Sequence, residues 1–421
     1  MPDAVASNIT VQELTSFDPA YPVVPGQEGE ERRRFSPLLV DKSSQRQGAS
    51  GCVLKARNTT GEQFAIKQAL DNAPGVDTER LLFEEYRTLA VVSNLKGFPR
   101  IYGWGHINGR PCIVMEWVEG VTLADAKTEL AGTGKTMNGT AVKTLDGRTA
   151  AAIGRSVVRT LCAARSLNGG FVHRDLSMRN IMIRTSARSV AEQQVAGDFD
   201  VCLIDMGSSS LPAQNSSFTV RAGAWRLGTP AYAPPEMLTC DMPGIERLRD
   251  SLAIDVYALG SILYELYAGK GPFQGVLTGA PSAYRVKMEH QPAELACALP
   301  QDRSLVSAIM ACLAREQDQR IDAEELKMHL EAYLSADESK ATARTDAHGP
   351  EARSAAGTVD VATTLPTPVP AGPAPQPATL AVRAARRRKW RARMASTAII
   401  LLALAIAFAV AMAVVAALTA R

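Results

Sequence analysis

The sequence predicts an α+β fold of two lobes, in which a small β-rich lobe precedes a larger helical lobe, followed by a C-terminal transmembrane helix. Three observations predict this architecture. Strand-like segments dominate residues 51–118, helical periodicity dominates beyond residue 150, and residues 395–420 contain no charged side chain. With 421 residues, 46% of them hydrophobic, the chain is long enough for one large globular domain or two, with additional segments.

The composition divides the chain into five segments. Residues 1–34 are polar and contain scattered prolines, which predicts a flexible leader. Residues 35–335 carry the regular hydrophobic patterning of a folded domain, whereas residues 336–382 are rich in Ala, Pro, Thr and Ser and predict an extended linker. The last two segments are a basic juxtamembrane stretch, residues 383–394, and the transmembrane helix, residues 395–420.

The charge distribution near the C-terminus predicts an orientation in the membrane. Residues 383–393 contain seven basic residues and no acidic one, and the positive-inside rule keeps such a segment in the cytoplasm. The 26 uncharged residues that follow can cross a hydrocarbon core of roughly 30 Å as a helix. We therefore expect a single-pass protein of the cell membrane, with a cytoplasmic folded domain, Arg421 on the other side and membrane lipids as partners.

Charge and cysteine usage argue against other classes of protein. Subtracting the seven basic residues and Arg421 from the formal net charge of +3 leaves −5 for the rest of the chain. A nucleic-acid-binding domain would instead spread basic charge over a folded face, so we expect no nucleic-acid partner. Seven cysteines without C-x-x-C spacing indicate reduced thiols, with no disulfide or zinc framework.

Local patterns predict the elements of both lobes. Residues 51–57 and 62–70 flank the turn NTTG and predict a β-hairpin. Residues 78–95 have apolar side chains at helical spacing, and residues 110–118 are strand-like. The later helical patterns cover residues 149–167, 255–269, 304–316 and 323–334. Two further stretches look like insertions: residues 126–148, and an extended hairpin loop between residues 180 and 205.

The first segments with side chains suited to phosphate chemistry lie in the small lobe. Gly48 and Gly51 flank a turn, where glycine lets backbone N–H groups approach an anion closely. Lys67 ends the apolar segment FAIK, and a lysine in such a strand needs a carboxylate partner. The helix that follows offers Glu84 and Glu85, and a lysine held in this way can contact substrate phosphates.

The large lobe contributes three more such segments. In HRDLSMRN, Asp175 could accept a hydroxyl proton and Asn180 could hold a metal ion. Asp205 follows an apolar strand and precedes Met-Gly, a position suited to binding Mg²⁺. In GTPAYAPPE, residues 228–236, the proline-rich turn can form a ledge for a peptide, and a buried Glu236 would need a cation such as Arg320.

In this order and spacing, the segments resemble the eukaryotic-type (Hanks-type) protein kinase family over residues 35–335. The linker and single span resemble bacterial transmembrane serine/threonine kinases. The resemblance implies a bilobal protein kinase fold, ATP as phosphate donor, Mg²⁺ as cofactor with Mn²⁺ as an alternative, and protein substrates. It implies transfer of the γ-phosphate to Ser or Thr hydroxyl groups, including autophosphorylation, and it leaves a homodimer open.

The resemblance also assigns roles to individual residues. The catalytic set comprises Asp175 as the base, Lys67 paired with Glu85, and Thr229 beside the base. The nucleotide-binding positions surround the predicted cleft and are Gly48, Gly51, Val53, Ala65, Lys67, Glu116 and Val118. Glu116 and Val118 lie in a hinge that follows the gatekeeper Met115. The metal ligands are Asn180 and Asp205, and the structural positions are Asp255 and the pair Glu236 and Arg320.

Five positions depart from the family pattern. Ser177 stands where most serine/threonine kinases have a lysine near the γ-phosphate, and Arg46 replaces the first glycine of the phosphate loop. Met206 replaces a Phe, Pro234 replaces an Ala, and Gln317 replaces a Pro before the late arginine. The sequence does not decide whether Ser177 and Arg46 lower the activity, or whether Arg46 or Arg179 supplies the missing positive charge.

Three alternatives were weighed against a serine/threonine kinase. Ser177 is compatible with tyrosine specificity, but Thr229 in GTPAY favours Ser and Thr acceptors. A membrane-tethered pseudokinase scaffold would bind nucleotide or partners without transfer, yet Lys67, Asp175 and Asp205 are all present. A small-molecule phosphotransferase would lack the ledge and the late arginine.

A regulatory segment is expected between the metal-binding Asp205 and the ledge. Arg174 precedes the base, and an arginine at this position often binds a phosphorylated residue of the activation loop. The candidate phosphosites are Ser216, Ser217 and Thr219.

Overall fold

The computed structural model describes nine stretches of the chain. They are residues 8–23, 27–47, 51–69, 77–131, 135–137, 140–167, 170–208, 229–239 and 245–346. Several predicted features lie outside the described residues: Gly48, the candidate phosphosites Ser216, Ser217 and Thr219, the linker beyond residue 346, the basic segment and the transmembrane helix. The described residues all belong to one compact unit.

The small lobe is built on one antiparallel sheet. Its strands are β1 (Ile9–Gln12), β2 (Leu14–Pro19), β3 (Leu38–Gln47), β4 (Gly51–Arg57), β5 (Gln63–Ala69), β6 (Ile101–Ile107) and β7 (Arg110–Glu116). Their order is β1-β3-β4-β5-β7-β6-β2, and each neighbouring pair is antiparallel. Two helices accompany the sheet, α1 (Glu28–Arg34) and α2 (Thr78–Val92).

The predicted hairpin is confirmed as β4 and β5. Asn58 closes its turn, because its Oδ1 accepts from the backbone N–H groups of Thr60 and Glu62 at 3.0 and 2.9 Å. Gly61 has a φ of 87°, which favours glycine. At the other end of β4, a Cβ on Gly51 would lie 2.4 Å from the carbonyl oxygen of Gln68. Close pairing with β5 therefore requires glycine at position 51.

The prediction of a flexible leader over residues 1–34 is wrong for the part that is described. Strand β1 pairs with β3, and β2 pairs with β6, so the leader supplies both edges of the sheet. Leu14 of β2 is only 1% exposed and joins the core around Phe35. The sequence does not predict these strands because their composition is polar, and edge strands need few buried side chains.

The large lobe is mainly helical, as predicted. Its helices are α3 (Leu123–Leu130), α4 (Gly147–Ser166), α5 (Val190–Ala196), α6 (Ile245–Arg249), α7 (Ala253–Ala268), α8 (Gln274–Leu277), α9 (Ala283–Glu289), α10 (Arg303–Cys312) and α11 (Ala323–Asp346). A three-stranded sheet in the order β12-β11-β8 comprises β8 (Gly120–Thr122), β11 (Ile181–Arg184) and β12 (Val201–Leu203). A short hairpin pairs β9 (Lys135–Met137) with β10 (Thr140–Val142).

Helix α7 is the centre of the large lobe. It is buried along almost its whole length, which matches its nearly continuous apolar sequence. It packs against α4 and α10, and a Cβ on Gly260 would lie 2.3 Å from the Cβ of Cys312 in α10. The absence of a side chain at position 260 therefore allows the two helices to approach closely.

One predicted loop and one predicted boundary differ from the structure. The insertion between residues 180 and 205 contains helix α5 rather than a bare hairpin loop, and a capping box between Ser189 and Glu192 starts this helix. The first residues of the linker predicted from residue 336 are helical instead, because α11 continues to Asp346. Within the described residues, no helix combines the length and apolar character that a membrane span requires.

Candidate active site

Lys67 contacts two carboxylates, one in each lobe. Strand β5 places its Nζ 2.6 Å from Oε1 of Glu85 on α2 and 2.9 Å from Oδ1 of Asp205, which follows β12. Glu84 lies one position away on α2 and pairs instead with Arg87. Burial disfavours the charged ammonium, but the two carboxylates outweigh this effect and raise the pKa of Lys67 above its ordinary value. The side chain is therefore a fixed positive charge between the lobes.

The sheet presents the predicted nucleotide-binding side chains on one face. Val53 lies directly opposite Lys67 in the β4–β5 register, and Ala65 lies two residues before Lys67 in β5. Side chains two positions apart in a strand share a face. Ala65 is opposite Met115 of β7, so these small and apolar side chains lie next to Lys67. The arrangement suits a flat apolar ring with phosphates near the lysine.

Two contacts fix the hinge that follows β7. The backbone N–H of Glu116 donates to the carbonyl of Arg100 at 2.7 Å, and its carboxylate forms an ion pair with Arg184 of β11. The N–H of Glu116 is therefore not available to a nucleotide. Arg184 also donates to the carbonyl of Phe98 at 3.2 Å, so it ties the hinge to the large lobe. Val118, two residues further on, is buried.

Asp175 is oriented by two neighbours. Its Oδ1 accepts from the backbone N–H of Thr229 at 3.0 Å and from the Thr229 hydroxyl at 3.2 Å. Asn180 donates Nδ2–H to the backbone carbonyl of Asp175 at 2.8 Å and to its Oδ2 at 3.2 Å. The structure thus brings together the three residues that the sequence assigned to the base, a metal ligand and the ledge.

Asp255 holds the backbone on which Asp175 stands. Its carboxylate accepts from the N–H groups of His173 at 2.7 Å and Arg174 at 2.9 Å. Burial raises the pKa of Asp255, although these donors and the nearby positive charge act in the opposite direction. Arg174 has a φ of 68°, an unfavourable value for a side chain of this size. The Asp255 carboxylate stabilises this strained turn just before the base.

The donor set near Asp205 fits a magnesium ion. Asp205 has a φ of 63°, another strained backbone position. Asn180 uses its Nδ2 for Asp175, so the amide oxygen is the atom of that side chain suited to a cation. Among the described residues, no group of three or more His, Cys, Asp or Glu side chains could hold a metal ion alone. Mg²⁺ commonly binds through one or two side chains together with substrate phosphates, and Asn180 with Asp205 meets that requirement.

Ser177 is buried next to the base. It is 4% exposed, and its backbone carbonyl accepts from the N–H of Asn180 at 3.0 Å. Arg46 and Arg179, the two arginines that could replace the charge of the missing lysine, are both exposed. Arg179 lies close enough to Tyr232 to act electrostatically on its hydroxyl, which places it on the ledge side of Asp175.

Arg174 already has an acidic partner. Its guanidinium forms an ion pair with Asp250 and donates Nε–H to the carbonyl of Arg249 at 3.0 Å. Arg174 is itself buried, and burial lowers its pKa despite the Asp250 carboxylate. A phosphorylated residue would have to compete with Asp250 for this guanidinium.

Residues 229–236, which we call the acceptor ledge, are anchored at both ends. Glu236 forms a two-pronged ion pair with Arg320, with distances of 2.5 and 3.0 Å. Gln317 donates to Oε1 of Glu236 at 2.9 Å and to the carbonyl of Leu248 at 2.7 Å, so this departure from the family pattern has its own structural use. In the middle of the ledge, Tyr232 donates its hydroxyl to Glu265 at 2.9 Å.

Sequence reasoning missed several residues that support the site. They are Arg184, Asp250, Glu265 and Lys287. Their signals are weak because each acts through a partner distant in the sequence, and none belongs to a recognisable motif. Gln317 was visible only as a departure from the family pattern, and its contact with Glu236 was not predicted. Met206, which replaces a Phe of the family pattern, is 2% exposed and packs within the main core.

The two-lobed fold and a cleft lined by Lys67, Asp175 and Asp205 define a phosphotransferase architecture. A model of the protein kinase domain matches residues 45–330. Because this match spans more than half of the chain, the chain belongs to the protein kinase family.

Curated relatives come from bacteria and from a plant. The chain is 32% identical over 163 residues to serine/threonine-protein kinase PkaA of Streptomyces coelicolor, covering 39% of this chain and 26% of the relative. It is 28% identical over 226 residues to serine/threonine-protein kinase PknL of Mycobacterium bovis, covering 53% and 43%. It is also 28% identical over 233 residues to calmodulin-binding receptor-like cytoplasmic kinase 2 of Arabidopsis thaliana, covering 54% and 49%. The matched parts thus span about a quarter to a half of these relatives.

Proposed function

We propose that this protein is a serine/threonine kinase that transfers the γ-phosphate of ATP to Ser or Thr hydroxyl groups of proteins, including its own. The observation that carries the proposal is the joint placement of Lys67 against Glu85 and Asp205, and of Asp175 against Asn180 and Thr229. Catalysis of phosphoryl transfer consists largely of positioning and charge stabilisation, and this arrangement supplies both.

In the proposed reaction, the acceptor oxygen forms a bond to the γ-phosphorus while the bond to the β-bridging oxygen breaks, and ADP leaves. Asp175 receives the hydroxyl proton, and Thr229 and Asn180 hold its carboxylate in place. Lys67 positions the phosphates of ATP. Mg²⁺ bound at Asn180 and Asp205 would neutralise phosphate charge, and Mn²⁺ could replace it.

A pseudokinase scaffold remains the competing proposal. It would use the same nucleotide cleft but would transfer no phosphate. The placement of Asp175 against Asn180 and Thr229 favours the active kinase, since binding a nucleotide does not need an oriented base on the acceptor side. The bacterial relatives named as serine/threonine-protein kinases support the same choice.

The decisive experiment measures phosphate transfer by the full chain in detergent, with Mg²⁺, radiolabelled ATP and a generic protein acceptor. We expect label on Ser or Thr and none on Tyr. Asp205→Ala should lower the transfer rate by about a thousandfold or more, because the phosphate charge is no longer compensated. Glu84→Ala is the matched control, since Glu84 is an acidic neighbour of Glu85 that does not contact Lys67.

Two results would contradict the proposal. Folded full-length protein that binds ATP but transfers nothing would indicate the scaffold. Undiminished transfer by Asp205→Ala would exclude the metal-binding role of that carboxylate.

We also propose that residues 395–420 anchor the kinase domain at the cytoplasmic face of a membrane. The support is the sequence alone: 26 residues without charge that follow a strongly basic segment. The autophosphorylation sites proposed at Ser216, Ser217 and Thr219 likewise rest on the sequence.

A further inference from the structure

Lys287 is a buried lysine below the acceptor ledge. It lies on α9, is 2% exposed and is among the largest fully buried side chains of the described residues. Its Nζ donates to the carbonyl of Ala233 at 2.6 Å and to the carbonyl of Ala231 at 3.3 Å. Both acceptors belong to the ledge, so an element outside the catalytic segments contacts it directly.

Two aromatic rings complete the environment of this ammonium group. The Nζ lies 5.3 Å from the ring centre of Tyr257 and 5.4 Å from that of Phe273. Contacts of this kind stabilise a cation that has lost its water. No carboxylate forms an ion pair with Lys287 within the described part of the chain. The lysine is thus held by carbonyl groups and rings, and its hydrogen bonds all serve the ledge.

The contacts continue from Lys287 to the base. The N–H groups of Tyr232 and Ala233 both donate to the carbonyl of Thr229, at 2.9 and 3.0 Å, and Thr229 contacts Asp175. A shift of the Ala231 and Ala233 carbonyls would therefore move the turn that carries Thr229.

The cost of burying a lysine argues for a specific use. An ammonium group loses several kcal/mol of hydration in a protein interior unless polar partners replace the water. A leucine or methionine could fill the same space without this loss. Such a side chain could not bind either carbonyl, and the carbonyl of the buried Ala233 would then lose its donor.

We propose that Lys287 is a positioning residue for the acceptor, which fixes the backbone of residues 231–233 and thereby the place of the substrate hydroxyl beside Asp175. This assignment rests on the proposed kinase function, since it concerns the acceptor side of that same reaction. It predicts a defect in binding the peptide acceptor rather than in binding ATP.

The first test compares Lys287→Met with Arg285→Met in the full chain. Arg285 lies on the same helix, its side chain is 72% exposed, and it pairs only weakly with Glu289 at 3.5 Å. Lys287→Met should raise the KM for a Ser-containing peptide by about tenfold or more, because the carbonyls of Ala231 and Ala233 lose their donor. The KM for ATP should change by less than about twofold, and Arg285→Met should change neither value.

A second test does not depend on activity. Hydrogen–deuterium exchange should be faster at the amides of Tyr232 and Ala233 in Lys287→Met than in the unmodified chain, by about tenfold, and unchanged in Arg285→Met. If Lys287→Met does not fold, Phe273→Leu keeps the lysine and removes one ring, and it should raise the peptide KM and the exchange rate in the same direction by smaller factors.

The outcomes separate the two proposals. An unmodified chain that transfers no phosphate would refute the kinase function, while the exchange rates would still decide whether Lys287 holds the ledge. Folded Lys287→Met with the peptide KM and the exchange rates of the unmodified chain would refute the assignment of Lys287.

Discussion

Charged side chains that are almost fully buried hold the large lobe together. Arg320 has no exposed side-chain surface, and Glu236 is 5% exposed. Removing one member of such a pair leaves an uncompensated buried charge, whereas removing both is tolerated far better. The stability of this end of the acceptor ledge therefore depends on the match between the two side chains.

Arg320→Met should lower the free energy of unfolding by about 3–5 kcal/mol, because Glu236 is left buried without its cation. The double variant Glu236→Gln with Arg320→Met should recover a substantial part of this loss. Urea unfolding of the three proteins measures both effects. Equal stability of the single variant and the unmodified chain would show that the pair contributes nothing.

Lys287 makes stability depend on pH. Burial lowers its pKa to about 7 from 10.5; Glu236 opposes this shift, and Arg320 adds to it. Between those two pH values the unfolded chain holds this proton more tightly than the folded chain, so the free energy of unfolding should rise with pH. The slope from this one group is at most about 1.4 kcal/mol per pH unit.

Urea midpoints measured from pH 6.5 to about 9.5 test this contribution. Lys287→Met should have a smaller upward slope than the unmodified chain over this window, and Arg285→Met should retain the full slope. Parallel curves for all three proteins would place the pKa of Lys287 in the folded state near its ordinary value.

The edge strands of the small lobe show what local pattern can and cannot predict. The hairpin of β4 and β5 was predicted because its turn chemistry and both strands are adjacent in the sequence. Strand β2 pairs with β6 across more than eighty residues, and its sequence LTSFDP has little alternation. Only the pairing with β6 explains why Leu14 is buried, and the sequence therefore predicts a flexible leader where the structure has a strand.

The same reasoning separates the site residues that were found from those that were missed. The sequence predicts Lys67, Asp175 and Asp205 as site residues because their chemistry and their order in the chain form a recognisable set. Lys287 and Gln317 act through contacts with the acceptor ledge that no local pattern encodes. The capping box of α5 was readable in principle, but a helix of seven residues offers too few turns for a clear periodicity.

Leu14→Ala tests whether the leader belongs to the folded small lobe. We expect a loss of about 3 kcal/mol in unfolding free energy, as for other large-to-small changes in a core. Val11→Ala is the matched control, because Val11 lies on the neighbouring strand β1 and is 67% exposed. Equal effects of the two substitutions would indicate that β2 is only loosely attached.

Contacts between the two lobes fix the geometry of the cleft, so this geometry depends on the whole domain. Lys67 of the small lobe contacts Asp205 of the large lobe, and behind the cleft Arg184 of the large lobe holds Glu116 at the hinge. The first contact couples the lysine to the proposed metal ligand, and the second limits how the hinge can bend. The lobes are therefore fixed relative to each other at the front and at the back.

Attachment to a membrane is the prediction that concerns the complete chain. Deleting residues 395–421 should move the protein from the membrane fraction to the soluble fraction without changing transfer to a soluble peptide, because the contacts of the site all lie within residues 51–320. A matched variant, Ala405→Arg with Ala409→Arg, keeps the length of the segment but adds about 2.5–3.5 kcal/mol per arginine to the cost of insertion. Fractionation and carbonate extraction of the three proteins should place both variants in the soluble fraction. Membrane retention of the deleted chain would mean that another part of the protein binds lipid, and the basic residues 383–393 would then be the first segment to neutralise.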